Sequence, residues 1–409
     1  MGKKVLVLAG GFDQIALINE LKERGIYVIL ADYYENPPAK LYADKHYQIS
    51  TLDEEKIYQV ALVENVDIIT TACTDQALLT MARVSERLNL PTYISSETAL
   101  NVTNKTFMKS CFAKNGIPTA KFVLLKNRKT WENEIDKLPE FPLVVKPCDC
   151  NSSKGVIRVN QGKELKSAIE EAFELSRSGQ VIVEQFIEGR EISIDIWLNQ
   201  ENVVVLSISE SKKIKESNND FLIYQSRYPV EEIDNYKEQI ISIADDIARA
   251  FQLSNCPMLI QALIKNGNIY VIEFSARMGG GTKYKLIENI SGIDIMKIYV
   301  ERILGNVGQV VVPKKSSKYI ELDYLYTDSG TVTGVVGFEE CKKEGLIEDY
   351  FLYKPLNSWI ATRKISGDRM AGILISGDTE KGLVNMRERV FDRIDILENK
   401  KSILYRACF

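Results

Sequence analysis

The first hundred residues alternate between short apolar segments and amphipathic segments of helical periodicity. KVLVLAG, YVILAD and DIITTA have the length and composition of buried strands, and helical segments such as QIALINELKERG separate them. Strands that alternate with helices form βαβ units, whose strands run parallel. The alternation therefore predicts a parallel α/β domain over residues 1–100.

Beyond residue 100 the strands follow one another in hairpins, so the pattern changes from α/β to α+β. A helix at 101–118 is predicted to link the first domain to a small strand-and-helix unit at 119–200. A larger unit at 201–312 follows, and a β-rich region occupies 313–409. With 409 residues, of which 45% are apolar, the chain is long enough for several domains.

The bulk composition excludes several functional classes. A formal net charge of −4 argues against a nucleic-acid-binding protein, which normally carries a basic surface. No apolar run approaches the roughly 18 residues that span a membrane, and the first apolar run is too short for an export signal. Seven scattered cysteines without a C-x-x-C pair indicate reduced thiols and a cytoplasmic location.

The chain contains one histidine, His46. Histidine-rich metal sites are thereby excluded, and a Ser-His-Asp or Cys-His mechanism would depend wholly on this side chain. We interpret His46 as a surface residue at a strand edge. The expected chemistry therefore relies on lysine, arginine, carboxylate and metal.

Gly10 and Gly11 after the first strand, with Asp32 ending the second, have the spacing of a dinucleotide site. The segment GGFDQI lacks the third glycine of that motif, however. We therefore interpret the glycines as a strand-end turn, and a nicotinamide-dependent oxidoreductase is disfavoured.

A lysine ends the apolar strand LVVK and is followed by a small, polar loop. Lys146 could reach the phosphate oxygens of a nucleotide, while loop N–H groups up to Gly155 and the hydroxyls of Ser152 and Ser153 donate to them. A solvated hairpin loop explains this segment equally well when it is taken alone.

The segment VEQFIEGREISID combines a strand, which carries Glu184, with a glycine break. Its backbone around Gln185 and Ile187 could contact an adenine edge, and Glu191 could accept hydrogen bonds from ribose hydroxyls. An acidic surface turn is the alternative interpretation.

The segment VIEFSARMGGG places Glu273, Ser275 and Arg277 at alternate positions before three glycines. Alternate residues of a strand share a face, so a carboxylate, a hydroxyl and a guanidinium are predicted to lie together. Glu273 is a hard oxygen ligand suited to Mg²⁺, and Gly279 to Gly281 would let backbone approach a reacting carboxylate closely.

Gln261, on the preceding strand, completes this metal interpretation only in one hairpin register. A two-residue turn at Asn266-Gly267 pairs Gln261 with Ile272 and puts it on the wrong face. A three-residue turn, or a bulge after Gly267, pairs it with Glu273. The metal site requires the second register.

Taken together, the order and spacing of these segments resemble the ATP-grasp enzymes, in particular carboxylate–amine ligases of the amino-acid-ligase kind. The resemblance spans essentially the whole chain and includes a helix that begins at Asn104-Lys105 and the E-x-x-x-x-G-x-E run from Glu184 to Glu191. It implies a Rossmann-like N-terminal domain (1–100), an ATP-grasp fold with small and large subdomains at 119–200 and 201–312, and a β-rich C-terminal region.

The resemblance also implies roles for individual residues. Lys105 and Lys146 would hold the nucleotide phosphates, and Arg277 would steady the transferred phosphoryl group. ATP contacts are further expected at Ser152, Ser153, Gly155, Glu184, Gln185, Ile187 and Glu191. One or two Mg²⁺ ions, for which Mn²⁺ could substitute, are expected at Gln261, Glu273 and Ser275.

Two positions depart from the family pattern, because Gln261 stands where most members have an acid and Ser275 where most have Asn. The sites then carry one negative charge fewer, which leaves room for a protein that binds ATP without turning it over well. A carboxylase that works through carboxyphosphate is a further alternative within the enzyme class.

The expected function is ATP-dependent joining of a carboxylate to an amine through an acyl phosphate, with small-molecule substrates that include amino acids. Lys212, Lys213, Arg227 and Arg369 are candidate partners for substrate carboxylates, although a solvated charged loop explains most of them. The 313–409 region is expected either to close over the site or to form a homodimer.

Overall fold

The computed structural model describes residues 2–151, 153–214, 221–311, 314–361 and 365–406. Ser152, one of the predicted phosphate contacts, lies outside these ranges. Within them, no helix has both the length and the apolar character needed to cross a membrane.

The N-terminal domain is built on a parallel sheet of strand order β3-β2-β1-β4, as the alternating pattern predicts. Its edge strand β3 carries the partly exposed His46, in agreement with the interpretation of this histidine as a residue at a strand edge. The elements are β1 (Lys4–Leu8), α1 (Asp13–Glu23), β2 (Tyr27–Asp32), β3 (Lys45–Gln48), α2 (Glu54–Glu64), β4 (Ile68–Thr70) and α3 (Asp75–Arg87).

Two helices, α4 (Ser96–Thr103) and α5 (Lys105–Asn115), connect this domain to the rest of the chain. The predicted linker range 101–118 contains the end of α4 and the whole of α5, and α5 begins where the Asn104-Lys105 motif predicts a helix. Asn104 separates the two helices, because its backbone is extended (φ −118°, ψ 118°) and its side chain accepts a hydrogen bond from the N–H of Thr106. This cap makes Lys105 the first residue of α5.

A small antiparallel sheet of order β5-β8-β6-β7 follows. Val145 and Val183 are paired and buried against α6, so the alternate residues Lys146 and Glu184 lie on the opposite face of the sheet. The elements are β5 (Phe122–Leu125), β6 (Leu143–Pro147), β7 (Ile157–Val159), α6 (Gly162–Leu175) and β8 (Val181–Gln185).

The large sheet has eight strands in the order β13-β12-β9-β10-β11-β14-β19-β17. Each neighbouring pair in this order is antiparallel. In chain order, the elements from β9 to β14 are β9 (Arg190–Leu198), β10 (Val203–Lys213), β11 (Ile223–Tyr228), α7 (Lys237–Ala250), β12 (Cys256–Lys265), β13 (Asn268–Ser275), α8 (Lys283–Ser291), α9 (Ile295–Ile303) and β14 (Tyr319–Leu325).

The C-terminal region contributes the last strands of the same sheet. Its remaining elements are β15 (Gly330–Thr331), β16 (Gly334–Val336), α10 (Phe338–Lys343), β17 (Asp349–Leu352), β18 (Trp359–Ile360), β19 (Ala371–Gly377), α11 (Glu380–Phe391), β20 (Asp395–Glu398) and β21 (Lys401–Ser402). A hydrogen-bonded ladder between β11 and β14 thus crosses the predicted boundary at 313. The predicted boundary at 200 also falls late, because β9 already belongs to the large sheet.

Phe274 anchors the face of the large sheet that is opposite to Gln261 and Glu273. Its side chain is 3% exposed, and its ring centroid lies 4.5 Å from that of Phe251 and 5.9 Å from that of Phe112. We expect Phe274→Ala to lower the free energy of unfolding by about 3–5 kcal/mol, because the shortened side chain leaves a cavity.

Urea denaturation followed by fluorescence measures this loss. Val63→Ala is the matched control, since Val63 is 78% exposed and its truncation should cost less than about 0.5 kcal/mol. Equal effects of the two substitutions would show that Phe274 does not anchor the sheet.

Candidate active site

The β12–β13 hairpin sets the register of the site. Its turn is the two-residue Asn266-Gly267, with φ of 50° and 78°, which by itself would pair Gln261 with Ile272. The ladder shifts between Gln261 and the next residue, however, and Ile272 becomes the extra residue of a bulge. Gln261 therefore lies opposite Glu273, which confirms the register that the metal interpretation requires.

The bulge produces two polar rows across one face of the large sheet. Directly paired residues share a face, and a second row follows two residues further along each strand. The first row is Glu273, Gln261, Ser193 and Ser209, and the second is Ser275, Leu259, Asp195 and Ser207. Such a row of hydroxyl, amide and carboxylate groups on a sheet provides a surface for a polar ligand.

A cavity of about 250 Å³ lies between this face and the small sheet. The small sheet contributes Lys146 and Glu184, and the large sheet contributes Gln261 and Glu273. The other predicted ATP contacts that line the cavity are Lys105, Ser153, Gln185, Ile187 and Glu191. The structure therefore gathers nearly all of the predicted nucleotide residues around one space.

Gly155 is the exception among the described ATP contacts, because it is not one of the lining residues. Its φ is +72°, and a Cβ built there would lie 2.7 Å from Leu175 and 3.0 Å from Pro147. The glycine is therefore needed to turn the loop and to pack it, not to contact the cavity.

The two predicted phosphate lysines are held by carboxylates. The Nζ of Lys105 lies 3.3 Å from the Oε2 of Glu273 and donates to the carbonyl oxygen of Cys150 at 2.8 Å. The Nζ of Lys146 lies 2.6 Å from the Oε2 of Glu184. Although burial raises the pKa of Glu273, the charge of Lys105 brings it below its usual range, so the carboxylate is ionised.

Lys109 is a third lysine at this cavity that the sequence analysis missed. It is 1% exposed, and its Nζ lies 2.9 Å from the Oε1 of Glu184. Burial opposes ionisation of Glu184, but Lys109 and Lys146 lower its pKa to about 2, while burial lowers the pKa of Lys109 to about 8. Its position four residues after Lys105 on one helical face is the signal that could have found it.

Glu191, the predicted ribose acceptor, is paired with Lys213. Lys213 also lines the nucleotide cavity, so the structure places it there and not beside a substrate carboxylate. Lys212 pairs with Glu210 and Arg227 with Glu321, and neither lines a cavity of the site. Among the four candidate partners, only Arg369 reaches the second cavity described below.

Arg277 forms a two-pronged ion pair with Asp75, the first residue of α3. Its Nε donates to the Oδ1 of Asp75 at 2.9 Å, its Nη2 donates to Oδ2, and the hydroxyl of Ser275 also donates to this carboxylate. Burial raises the pKa of Asp75, but Arg277 outweighs burial and lowers it. Asp75 is a site residue that the local sequence pattern did not reveal.

A second cavity of about 370 Å³ adjoins the first and shares Asn151, Ser153, Gln261 and Glu273 with it. Arg277 also lines it. The side chains that belong to this cavity alone include Asp13, Lys283, Tyr324, Tyr353, Lys354 and Arg369. The shared residues make the two cavities continuous.

Gly281, the last glycine of the segment Gly279 to Gly281, lies beside Asp13 and Arg369 of the second cavity. The N–H of Gly281 donates to the Oδ2 of Asp13 at 2.9 Å, and the N–H of Thr282 donates to Oδ1 at 2.8 Å. A Cβ at Gly281, whose φ is +71°, would lie 2.6 Å from the Nη1 of Arg369. Gly281 thus makes room for the guanidinium.

The oxygen ligands present fit one magnesium ion. Mg²⁺ is usually held by one or two carboxylates together with nucleotide phosphates. Glu273 and Gln261 supply a carboxylate and an amide oxygen from adjacent strands, beside the phosphate lysine Lys105. The hydroxyl of Ser275 donates to Asp75, and its neutral oxygen offers a second ion a ligand without charge.

These features define a protein with a cavity lined by lysines and carboxylates between a small and a large antiparallel sheet, and with a second cavity beside it. Three comparisons agree with this class. The family of ATP-grasp domains matches residues 139–285. The D-alanine–D-alanine ligase of Staphylococcus carnosus (strain TM300) is 30% identical over 263 residues, which are 59% of this chain and 70% of that protein.

The D-alanine–D-alanine ligase of Thermosipho africanus (strain TCF52B) is 30% identical over 253 residues, or 57% of this chain and 65% of that protein. The chain thus spans about two-thirds of the length of these relatives. The crystal structure of an L-amino acid ligase from Bacillus licheniformis superposes with a TM-score of 0.79 at 23% identity and covers 97% of this chain and 98% of that one.

The chain belongs to the ATP-grasp superfamily of carboxylate–amine ligases. The predicted family and the predicted ATP-grasp fold are confirmed.

The two lysines that pair with Glu184 should make the stability of the protein depend on pH. Because its folded pKa is about 2, against an ordinary value of 4.5, Glu184 contributes stability that is complete above pH 4.5 and lost as the pH falls toward 2. We expect the free energy of unfolding of the wild type to be roughly 3 kcal/mol higher than that of Glu184→Gln near neutral pH. This difference should shrink as the pH falls.

Urea denaturation of both proteins, repeated in steps down to about pH 3, checks this dependence. The exposed Glu171→Gln is the control and should show no such trend. A difference that stays constant over the whole range would mean that Glu184 does not carry its charge between the two lysines.

Proposed function

We propose that the protein uses ATP to join a small carboxylic acid to an amine, with amino acids among its substrates. The observation that carries this proposal is the continuity of the two cavities through Gln261 and Glu273. A carboxylate in the second cavity can therefore reach a γ-phosphate in the first. The amino-acid ligases among the relatives support the choice of substrate class.

In the first step, a substrate carboxylate oxygen attacks the γ-phosphorus, and the bond to the bridging oxygen breaks to release ADP. In the second step, the amine lone pair attacks the acyl carbon of the resulting acyl phosphate, the nitrogen loses a proton and inorganic phosphate departs. The product is an amide. No histidine is needed as a base, because an acyl phosphate is already a good electrophile.

The residues of the site have matching roles in this scheme. Lys105 and Lys146 orient and neutralise the triphosphate, and Mg²⁺ held with Glu273 and Gln261 would add charge neutralisation when bound. Arg277, whose guanidinium is fixed by Asp75, stabilises the charge on the transferred phosphoryl group. Positioning and electrostatics supply most of the catalysis of phosphoryl transfer.

The first test measures ADP release with Mg²⁺ and ATP against a panel of amino acids and other carboxylates, singly and in pairs. We expect release to require two added compounds and to fall about 10²–10³-fold in Arg277→Ala, because a preorganised charge is removed from the transition state. Arg83→Ala, which alters an exposed ion pair, is the matched control.

Release with bicarbonate and a single amine would favour the carboxylating alternative. Binding of a nucleotide analogue without release for any pair would favour the regulatory alternative.

Gln261→Glu tests the metal assignment. The added carboxylate should lower the Mg²⁺ concentration that half-saturates binding of a nucleotide analogue by roughly tenfold, since Mg²⁺ affinity rises with ligand charge. Calorimetric titration measures this concentration, and the exposed Gln239→Glu provides the comparison. An unchanged Mg²⁺ dependence would remove Gln261 from the metal site.

A further inference from the structure

Most cations of the site already have a carboxylate partner. The pairs are Lys105 with Glu273, Lys146 and Lys109 with Glu184, Lys213 with Glu191, Arg277 with Asp75, and Lys283 with Asp195. These pairs are complete before any substrate arrives. A substrate anion therefore binds most favourably where a cation is not committed.

Arg369 is such a cation. Among the residues that the structure describes, no carboxylate lies within ion-pair distance of it. Its guanidinium stacks on the ring of Tyr324, with 3.6 Å from Cζ to the ring centroid, and its Nε donates to the hydroxyl of Tyr326 at 3.2 Å. Stacking and the Nε bond fix the plane of the group, while its Nη2 donates a long hydrogen bond, of 3.5 Å, to the carbonyl oxygen of Ile223.

Lys354 lines the same cavity and, within the described part of the chain, also has no carboxylate at ion-pair distance. Burial lowers the pKa of Lys354, and the charge of Asp368 partly offsets this effect. Two uncommitted cations from the C-terminal region thus face one space. An arginine held flat in this way is suited to two-pronged binding of a carboxylate.

The position of Arg369 in the second cavity decides which carboxylate it meets. Arg369 and Lys354 line only the second cavity, whereas Gln261 and Glu273 line both cavities. The carboxylate that is phosphorylated must lie near Gln261 and Glu273, so a carboxylate at Arg369 is a different one.

We propose that Arg369, assisted by Lys354, binds the carboxylate of the amine substrate, so that the acceptor is an amino acid and not a simple amine. This inference rests on the proposed ligase function. Arg369 is then a specificity-determining residue: it holds the acceptor by the group that does not react and leaves the amine directed toward the acyl phosphate.

Hydroxylamine provides the discriminating experiment, because it attacks acyl phosphates to give hydroxamates and carries no carboxylate. With the full chain, ATP, Mg²⁺ and a donor acid identified by ADP release, kcat/KM is measured for an amino-acid acceptor, for its carboxamide and for hydroxylamine. The proteins compared are the wild type, Arg369→Gln and Arg369→Lys, with the exposed Arg389→Gln as the control.

We expect Arg369→Gln to lower kcat/KM for the amino acid about 10- to 100-fold, mainly through KM, as befits a lost charge-assisted pair. In the same variant, kcat/KM for hydroxylamine should fall much less. Arg369→Lys should retain part of the activity toward the amino acid. The wild type should prefer the amino acid to its carboxamide by a similar factor. Arg369→Gln should lose that discrimination.

Parallel loss of the amino-acid and hydroxylamine reactions in Arg369→Gln would place Arg369 on the donor or in the fold and would overturn the inference alone. Equal use of amino acid and carboxamide by the wild type would overturn it as well. If the wild type forms no hydroxamate from any carboxylate, the proposed function fails, and the inference fails with it.

Discussion

The bulge at Ile272 is the constraint on which the rest of the site depends. Side chains of a strand alternate between faces, so a shift of one residue moves every side chain of that strand to the other face. Without the bulge, Gln261 would lie opposite Ile272, and the apolar Phe274 would share the face of the amide. One extra residue thus aligns the predicted metal ligands on one side of the sheet and the core on the other.

The N-terminal domain completes the site with two acids. Asp13 and Asp75 are the first residues of α1 and α3, and these helices follow β1 and β4. The carboxyl ends of parallel strands and the N-termini of helices are favourable places for functional carboxylates. Asp13 fixes the backbone at Gly281 and Thr282, while Asp75 fixes Arg277, so this domain positions the segment that carries Arg277.

The sequence predicts those parts of the site that depend on residues close together in the chain. The alternation of Glu273, Ser275 and Arg277 and the lysines at 105 and 146 can be recognised from a few neighbouring residues, and these are gathered as expected. Asp75 was missed because its partner Arg277 is 202 positions away. No local pattern specifies such a contact.

The boundaries were harder to predict for a related reason. β8 and β9 have similar compositions and are separated by a few residues, yet they belong to different sheets. Which sheet a strand joins depends on distant partners, such as β12 for β9. Gly155 was predicted to contact ATP because the sequence does not show its packing against Leu175, and this packing explains the glycine.

The ladder between β11 and β14 also determines where this chain can be shortened. Removing residues 313–409 would strip β11 of its neighbour and expose a row of unpaired N–H and C=O groups, which is a template for aggregation. The same cut would remove Tyr324 and Arg369 from the second cavity. The region that resembles a detachable domain in the sequence is therefore an integral part of the sheet, and expression of the first 312 residues alone would yield neither a closed fold nor a complete site.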